Sequence, residues 1–166
     1  MKPSRITFIA VMAALASILN LVTAGIPNFS ISLAFFLFTA DLTDFQDSSV
    51  IMIVTVILSN LRAGGLGIWT LGQILVYLLL LAIWTTSTQK FHLRRLSLRS
   101  LLAALLAFGF GLGNAIFTVI VFRLPHFWPY YLQGLPFDLT YSLATVLTYP
   151  LLRRFVYPWV QKRLNF

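Results

Sequence analysis

The sequence contains no cysteine and no glutamate, and its few other reactive side chains are scattered. The absence of cysteine excludes disulfide frameworks, thiolate chemistry and cysteine-based metal sites. The two histidines, His92 and His126, fall on opposite sides of the topology that the apolar runs predict. No HExxH, GxSxG or GxxxxGK[ST] motif occurs, and "GFGLGN" at 109–114 follows no strand. We therefore expect no catalytic residues, no metal, no cofactor and no ATP hydrolysis by the chain itself.

Charge is also scarce. Charged residues make up 10% of the chain and hydrophobic residues 59%, whereas a soluble domain has about 25% and about 45–50%. A core of 166 residues cannot bury so much apolar surface, so the composition indicates an integral membrane protein with one domain, residues 1–166. The 12 basic residues outnumber the 4 acidic ones, but they lie between apolar runs, so they indicate topology and not a nucleic-acid partner.

The apolar runs predict an all-α membrane protein with six transmembrane helices, at 6–23, 26–40, 49–61, 66–88, 100–122 and 135–157. The second and third runs are short and are joined by "ADLTDFQDSS", whose carboxylates are too polar for hydrocarbon. We interpret Asp41, Asp44 and Asp47 as a solvated acidic turn that faces the basic cytoplasmic rim. A metal site is disfavoured because no histidine accompanies them.

The basic residues are distributed unevenly over the connectors. With the N-terminus inside, two of them lie outside, Arg62 and Arg123. The ten cytoplasmic ones are Lys2, Arg5, Lys90, Arg94, Arg95, Arg99, Arg153, Arg154, Lys162 and Arg163. This asymmetry predicts a multi-pass protein with both termini in the cytoplasm. A signal peptide ending near "ALA" at 14–16 is the alternative for the first run, whose apolar stretch is long for that purpose.

Small residues recur four apart in two of the spans. In the first span they are Ala10, Ala13, Ala14 and Ser17, and in the fifth they are Ala103, Ala107 and Gly111. Residues four apart share a helix face, and small ones let two membrane helices approach closely. We interpret the fifth-span set as packing within the bundle and the first-span set as a surface for an external partner.

Side chains suited to a polar organic ligand gather in the outward connectors, "TAGIPNFS" at 23–30, "NLRAGGLGIW" at 60–69 and the aromatic segment 122–138. The flat faces are Trp69, Phe127, Trp128, Tyr130 and Tyr131, and the polar groups are Asn28, Asn60, Arg62, Arg123, His126, Gln133 and Asp138. Apolar walls with a few placed polar groups are typical of a ligand pocket. The prolines at 125, 129 and 136 reduce the cost of ordering this connector.

Two alternatives apply to this set. Trp and Tyr also accumulate at headgroup depth in membrane proteins, so any single aromatic residue could belong to an interfacial belt. "LPFD" at 135–138 is typical of a helix start, with Pro136 in the first turn and Asp138 near the positive end of the dipole. Capping and ligand contact both remain open for Asp138.

With "AVMAALAS" at 10–17 and "YYLQGLPFDLTYSLATVL" at 130–147, the chain resembles the substrate-specific S-components of energy-coupling factor transporters, which take up vitamins across bacterial plasma membranes. The resemblance spans the whole chain. It implies that a vitamin binds between the outer loops, and that Ala10, Ala13, Ala14 and Ser17 dock onto a transmembrane coupling subunit driven by two cytosolic ATPases. It also implies transport by toppling within the lipid bilayer.

The ligand is less sharply indicated. "GLPFDL" at 134–139 is similar to the cobalamin and pantothenate groups of that family, and the many aromatic and amide groups favour cobalamin. Pantothenate and riboflavin are the alternatives. The chain departs from many members in having "TADLTDFQDS" between its second and third spans, and Tyr141 and Thr145 after "LPFDL".

Two functions of other classes remain as rivals. One is a small membrane-embedded enzyme that uses Asp138 and His126. The other is a helix-packing subunit of a larger complex that binds no ligand, in which the outer aromatic residues could be changed to leucine with little effect.

Overall fold

The computed structural model describes residues 3–25 and 29–162, and among these residues it has helices and no strand, which confirms the all-helical prediction. The α-helices are α1 (Pro3–Thr23), α2 (Ser32–Leu42), α3 (Phe45–Ala63), α4 (Ile68–Thr85), α5 (Leu96–Phe122), α6 (Phe127–Leu151) and α7 (Tyr157–Gln161). Five-residue π-helical turns extend α4 over Thr86–Lys90 and α6 over Leu152–Val156.

Three of the described helices are long and apolar enough to cross a membrane. They are Arg5–Thr23, Ile68–Gln89 and Leu96–Phe122, with mean hydropathies of 2.2, 1.9 and 2.1. α2 is apolar but has only 11 residues, or about 16 Å of helix. Three helices of this length and hydropathy support a membrane protein. The count of six spans stays a prediction.

α2 forms the centre of the bundle and contacts α1, α3, α4, α5 and α6. Residues 32–40 are all buried, and Leu33, Phe36 and Leu37 have no exposed surface. A helix that is apolar on every side has no face for water, so it is surrounded by lipid or by other helices, and the contacts of α2 show that it is surrounded by helices. The brevity of α2 therefore reflects a core position.

α6 begins at Phe127 and not near residue 135, so most of the aromatic segment predicted as a connector is helical. Only residues 123–126 join α5 to α6. Pro129 lies in the first turn, where a backbone N–H has no helical partner to lose. Pro136 lies inside the helix, so Asp138 is not near a helix start and does not cap one.

Asp41 forms the centre of a buried polar cluster at the end of α2, which we call the Asp41 cluster. Its Oδ1 accepts hydrogen bonds from Trp84 and Arg99, both at 3.2 Å. Its Oδ2 accepts one from the Tyr149 hydroxyl at 2.7 Å and lies 3.7 Å from Nε of Arg153. The Asp41 side chain is only 3% exposed. The prediction of a solvated acidic turn is therefore wrong for Asp41.

The other two aspartates pair with Arg5 of α1. Nε of Arg5 donates to Asp47 at 2.6 Å, and its Nη2 donates to Asp44 at 2.9 Å. Asp44 also caps α3, because its side chain accepts a hydrogen bond from the backbone N–H of Asp47 at 2.8 Å. The Asp44 side chain is 57% exposed and that of Asp47 is 10% exposed, so the solvated prediction describes Asp44 alone.

These ion pairs bring several helix ends to the same end of the bundle. Four parts of the chain meet there, namely the start of α1, the turn between α2 and α3, the start of α5 and the end of α6. The basic residues involved are three of those that charge counting assigns to the cytoplasm, Arg5, Arg99 and Arg153. The grouping agrees with the predicted topology, and the side of the membrane remains a prediction.

The small residues of α5 pack against neighbouring helices, which confirms the interpretation made from their spacing. Ala103 and Ala107 have no exposed surface. Ser142 of α6 donates a hydrogen bond to the carbonyl of Ala104 at 2.9 Å. A side chain at Gly111 would collide with the carboxylate of Asp138, so the two helices approach as closely as they do because this residue is glycine.

Candidate ligand-binding cleft

The end of the bundle opposite the Asp41 cluster contains three cavities in series, which together we call the cleft. Their volumes are about 320, 220 and 370 Å³. Shared walls connect the first to the second through Ser30, Tyr77 and Phe110, and the second to the third through Gly111, Gly134, Phe137 and Asp138. The cleft thus runs from α1 and α3 across to α5 and α6.

The first cavity has a polar wall built from side chains of α1, α3 and α4 and of the residues before α2. Asn60 donates a hydrogen bond to Gln73 at 2.8 Å. Asn20 donates to Ser59 at 3.2 Å and accepts from Ser30 at 3.2 Å. All five are only partly buried, so they retain hydrogen-bonding capacity for a ligand.

The second cavity is mostly aromatic. The hydroxyls of Tyr77 and Tyr141 are hydrogen-bonded at 2.9 Å, and that of Tyr141 also accepts from the backbone N–H of Leu33 at 3.1 Å. The ring of Phe110 stacks on Tyr77, with centroids 4.2 Å apart, and meets Tyr141 edge-on at 5.5 Å. These contacts hold three rings as one wall.

Replacing Tyr141 with phenylalanine is expected to destabilise the protein more than replacing Tyr77. Leu33 is in the first turn of α2, where its N–H has no helical partner, so Tyr141→Phe leaves a buried donor unpaired at a cost of about 1–3 kcal/mol. Tyr77→Phe leaves that bond intact and removes one hydroxyl pair worth about 1 kcal/mol. Thermal unfolding of both purified variants checks this, and equal shifts would contradict it.

The third cavity lies between α5 and the first half of α6. Tyr131 is 8% exposed and stacks on Phe127, with an interplanar angle of 11°. Tyr130 and Gln133 lie along its outer edge, and Asn114 of α5 contributes an amide from the opposite wall. This cavity therefore also combines aromatic and hydrogen-bonding groups.

Six of the sequence-predicted binding residues line the cleft, namely Asn60, Arg62, Tyr130, Tyr131, Gln133 and Asp138. Trp69, His126 and Trp128 line none of its three cavities, and all three are exposed. Trp69 instead folds over Gly67 in the connector before α4. Asn28 lies outside the described residues. Trp69 and Trp128 thus fit the interfacial-belt alternative better than ligand contact.

The sequence-based prediction missed the cleft residues that come from within the helices. They are Asn20, Ser32, Gln73, Tyr77, Phe110, Asn114 and Tyr141. The amides among them carried a usable signal, because a polar side chain within an apolar run is costly unless it faces the bundle interior or a cavity. The missed residues lie within the apolar runs, whereas the predicted binding residues came from the connectors.

No family model, no curated protein and no solved structure matches this chain. What the cleft binds is therefore inferred from its own residues.

The small residues of α1 divide between two faces. Ala10 and Ala14 are exposed. Ala13 is 2% exposed, and its carbonyl lies 3.5 Å from the hydroxyl of Thr55 on α3 and accepts a hydrogen bond from Ser17 at 2.8 Å. The predicted docking surface is corrected accordingly, because Ala13 packs inside the bundle and Ser17 is turned partly toward it. Ala10 and Ala14 remain available to a partner.

Proposed function

We propose that the chain is the substrate-binding subunit of an energy-coupling factor importer in a bacterial plasma membrane. It captures a vitamin in the cleft, on the outer side, and delivers it by docking α1 onto a transmembrane coupling subunit that two cytosolic ATPases drive. The cleft is the observation that carries the proposal. Its mixture of aromatic walls and amide and hydroxyl groups is typical of sites for polar organic molecules.

The exposed pair on α1 supports the docking step. Ala10 and Ala14 are four residues apart on an apolar helix, and in the bilayer such a small-residue face favours close contact with another helix. The sequence motifs for nucleotide binding are missing, which agrees with a subunit that depends on separate ATPases.

Cobalamin is the ligand favoured by the sequence, with pantothenate and riboflavin as alternatives. Cobalamin is much the largest of the three, and it would have to span all three cavities, of about 220 to 370 Å³ each. Riboflavin or pantothenate would need only part of the cleft. Absorption spectra of the purified protein after incubation and dialysis identify a bound cobalamin, which is red, or a bound flavin, which is yellow, and isothermal titration tests the colourless pantothenate.

Replacing Gln73 with leucine is expected to weaken ligand binding about tenfold, because it removes one hydrogen-bonding group from the first cavity and one of the two acceptors of Asn60, which keeps the carbonyl of Val56 at 3.1 Å. The matched control is Gln161→Leu, an exposed residue on α7 at the other end of the bundle. Isothermal titration with the vitamin that the parent chain binds measures both affinities. Equal affinities of the two variants would remove the first cavity from the site, and the absence of vitamin binding would refute the proposed function.

The rival enzyme reading paired Asp138 with His126. His126 immediately precedes α6 and Asp138 lies 12 positions later on that helix, which corresponds to about 18 Å along the helix axis. A proton-transfer pair must act within about 3 Å of a shared substrate atom, so this geometry disfavours the two residues as one catalytic site. The rival packing-subunit reading fails if the purified protein retains a vitamin.

A further inference from the structure

The middle cavity of the cleft combines aromatic rings with a carboxylate that it shares with the third cavity. This cavity has a volume of about 220 Å³. Its lining includes four aromatic rings, those of Tyr77, Phe110, Phe137 and Tyr141, and the carboxylate of Asp138. No basic side chain among the described residues lines it. The walls therefore place four aromatic rings and a carboxylate around the same small space.

The carboxylate of Asp138 has no protein partner among the described residues. No hydrogen bond or ion pair reaches it, whereas Asp41, Asp44 and Asp47 are all paired with arginines. Asp138 lies between α5 and α6, over the backbone of Gly111, and borders both the middle and the third cavity. Asp138 is half-buried and faces two cavities, so its carboxylate is available to a partner that enters the cleft from outside the chain.

We propose that the middle cavity binds a positively charged organic nitrogen, with Asp138 as its counter-ion and the aromatic rings as its cage. Organic cations are attracted to ring faces within about 6 Å, and enclosure by several rings is the usual way in which proteins recognise ammonium groups. The stacked pair of Tyr77 and Phe110, with Tyr141 edge-on beside it, forms one side of the cage.

This inference rests on the proposed function and changes its expected ligand to a vitamin or related molecule that carries a cationic nitrogen, in place of cobalamin, pantothenate and riboflavin. An anionic group would be repelled by Asp138, and its place in the cleft is the first cavity, beside Arg62. An uncharged ligand such as riboflavin would leave the carboxylate without a counter-charge. Gly134 leaves room for the cation, because a Cβ at that position would meet nothing within 4 Å.

The test compares cations with an uncharged isostere on the purified full-length chain. Choline and 3,3-dimethylbutan-1-ol have nearly the same shape, and thiamine is a cationic vitamin. Isothermal titration is expected to show choline and thiamine binding at least about tenfold more tightly than the alcohol. Asp138→Asn is expected to remove that preference, while Asp44→Asn, an exposed carboxylate at the other end, is expected to retain it.

A second variant tests the cage separately, in case Asp138→Asn does not fold. Phe137 is 48% exposed, so Phe137→Leu removes one ring without emptying the core and is expected to weaken cation binding several-fold. Phe45→Leu, 38% exposed and at the other end, is the control. The inference is overturned if Asp138→Asn binds the cations as well as the parent chain does. It is also overturned if cobalamin, riboflavin or pantothenate binds and the cations do not, and that result would leave the proposed function standing. If no probe binds, both fall.

Discussion

Replacing Asp41 with asparagine is expected to lower the free energy of unfolding by about 3–5 kcal/mol. The substitution preserves size and one acceptor oxygen, but it removes the negative charge that Arg99 and Arg153 share in a site where the aspartate is 3% exposed. Two cations would then be left in a buried site without a counter-charge. Unfolding in mixed micelles, followed by helical circular dichroism, measures the change.

The same substitution at Asp44 is the matched control. Asp44 is 57% exposed and pairs with Arg5, so loss of its charge is expected to cost less than about 1 kcal/mol. Asparagine caps a helix as well as aspartate does, so the start of α3 is retained. If both variants lose the same stability, the Asp41 cluster is not the electrostatic centre that the structure indicates.

Replacing Ala14 with tryptophan is expected to reduce vitamin uptake by more than about tenfold and to leave the affinity of the isolated protein unchanged. Ala14 is exposed on α1 and lines none of the cleft cavities, so the bulky ring would separate α1 from a partner helix without entering the binding site. Uptake is measured in cells that supply the coupling subunit and the ATPases, and affinity is measured by titration of the purified protein.

Two further variants complete this experiment. Leu105 lies on α5 and is 61% exposed, so Leu105→Trp places the same ring on another exposed helix surface. This variant is expected to change neither vitamin uptake nor ligand affinity. Ala13→Trp places the ring against α3 and is expected to impair both uptake and binding through misfolding. Normal uptake by the Ala14 variant would refute α1 as the docking helix.

The long helices could be predicted closely from the sequence, and the shorter ones less well. The predicted spans 66–88 and 100–122 correspond to α4 with its π-helical turn and to α5. The predicted start of α6 near residue 135 is too late, because "LPFD" is typical of a helix start but Pro136 lies in the interior of a helix that begins at Phe127. The predicted span 26–40 corresponds to α2, which covers Ser32–Leu42. Hydropathy alone does not distinguish such a core helix from a membrane span.

The candidate site was predicted in part. Charge and aromatic content in the connectors led to Asn60, Arg62 and the residues of the aromatic segment that line the cleft. The same reasoning included Trp69 and Trp128, which the structure leaves exposed and outside the three cavities. Amphipathic aromatic residues suit both a binding wall and the membrane interface, so composition alone could not separate the two.

The sequence by itself determined that the chain is helical, apolar enough for a membrane, and built with small residues on α1 and α5, because these properties follow from composition and from spacing along one helix. Only the tertiary structure decided which aspartates have partners. Those of Asp41 come from α4, α5 and the end of α6, whereas Asp138 borders two cavities and has no partner among the described residues. A charge is stabilised by what lies within a few ångströms in space, and for Asp41 those neighbours are far away along the chain.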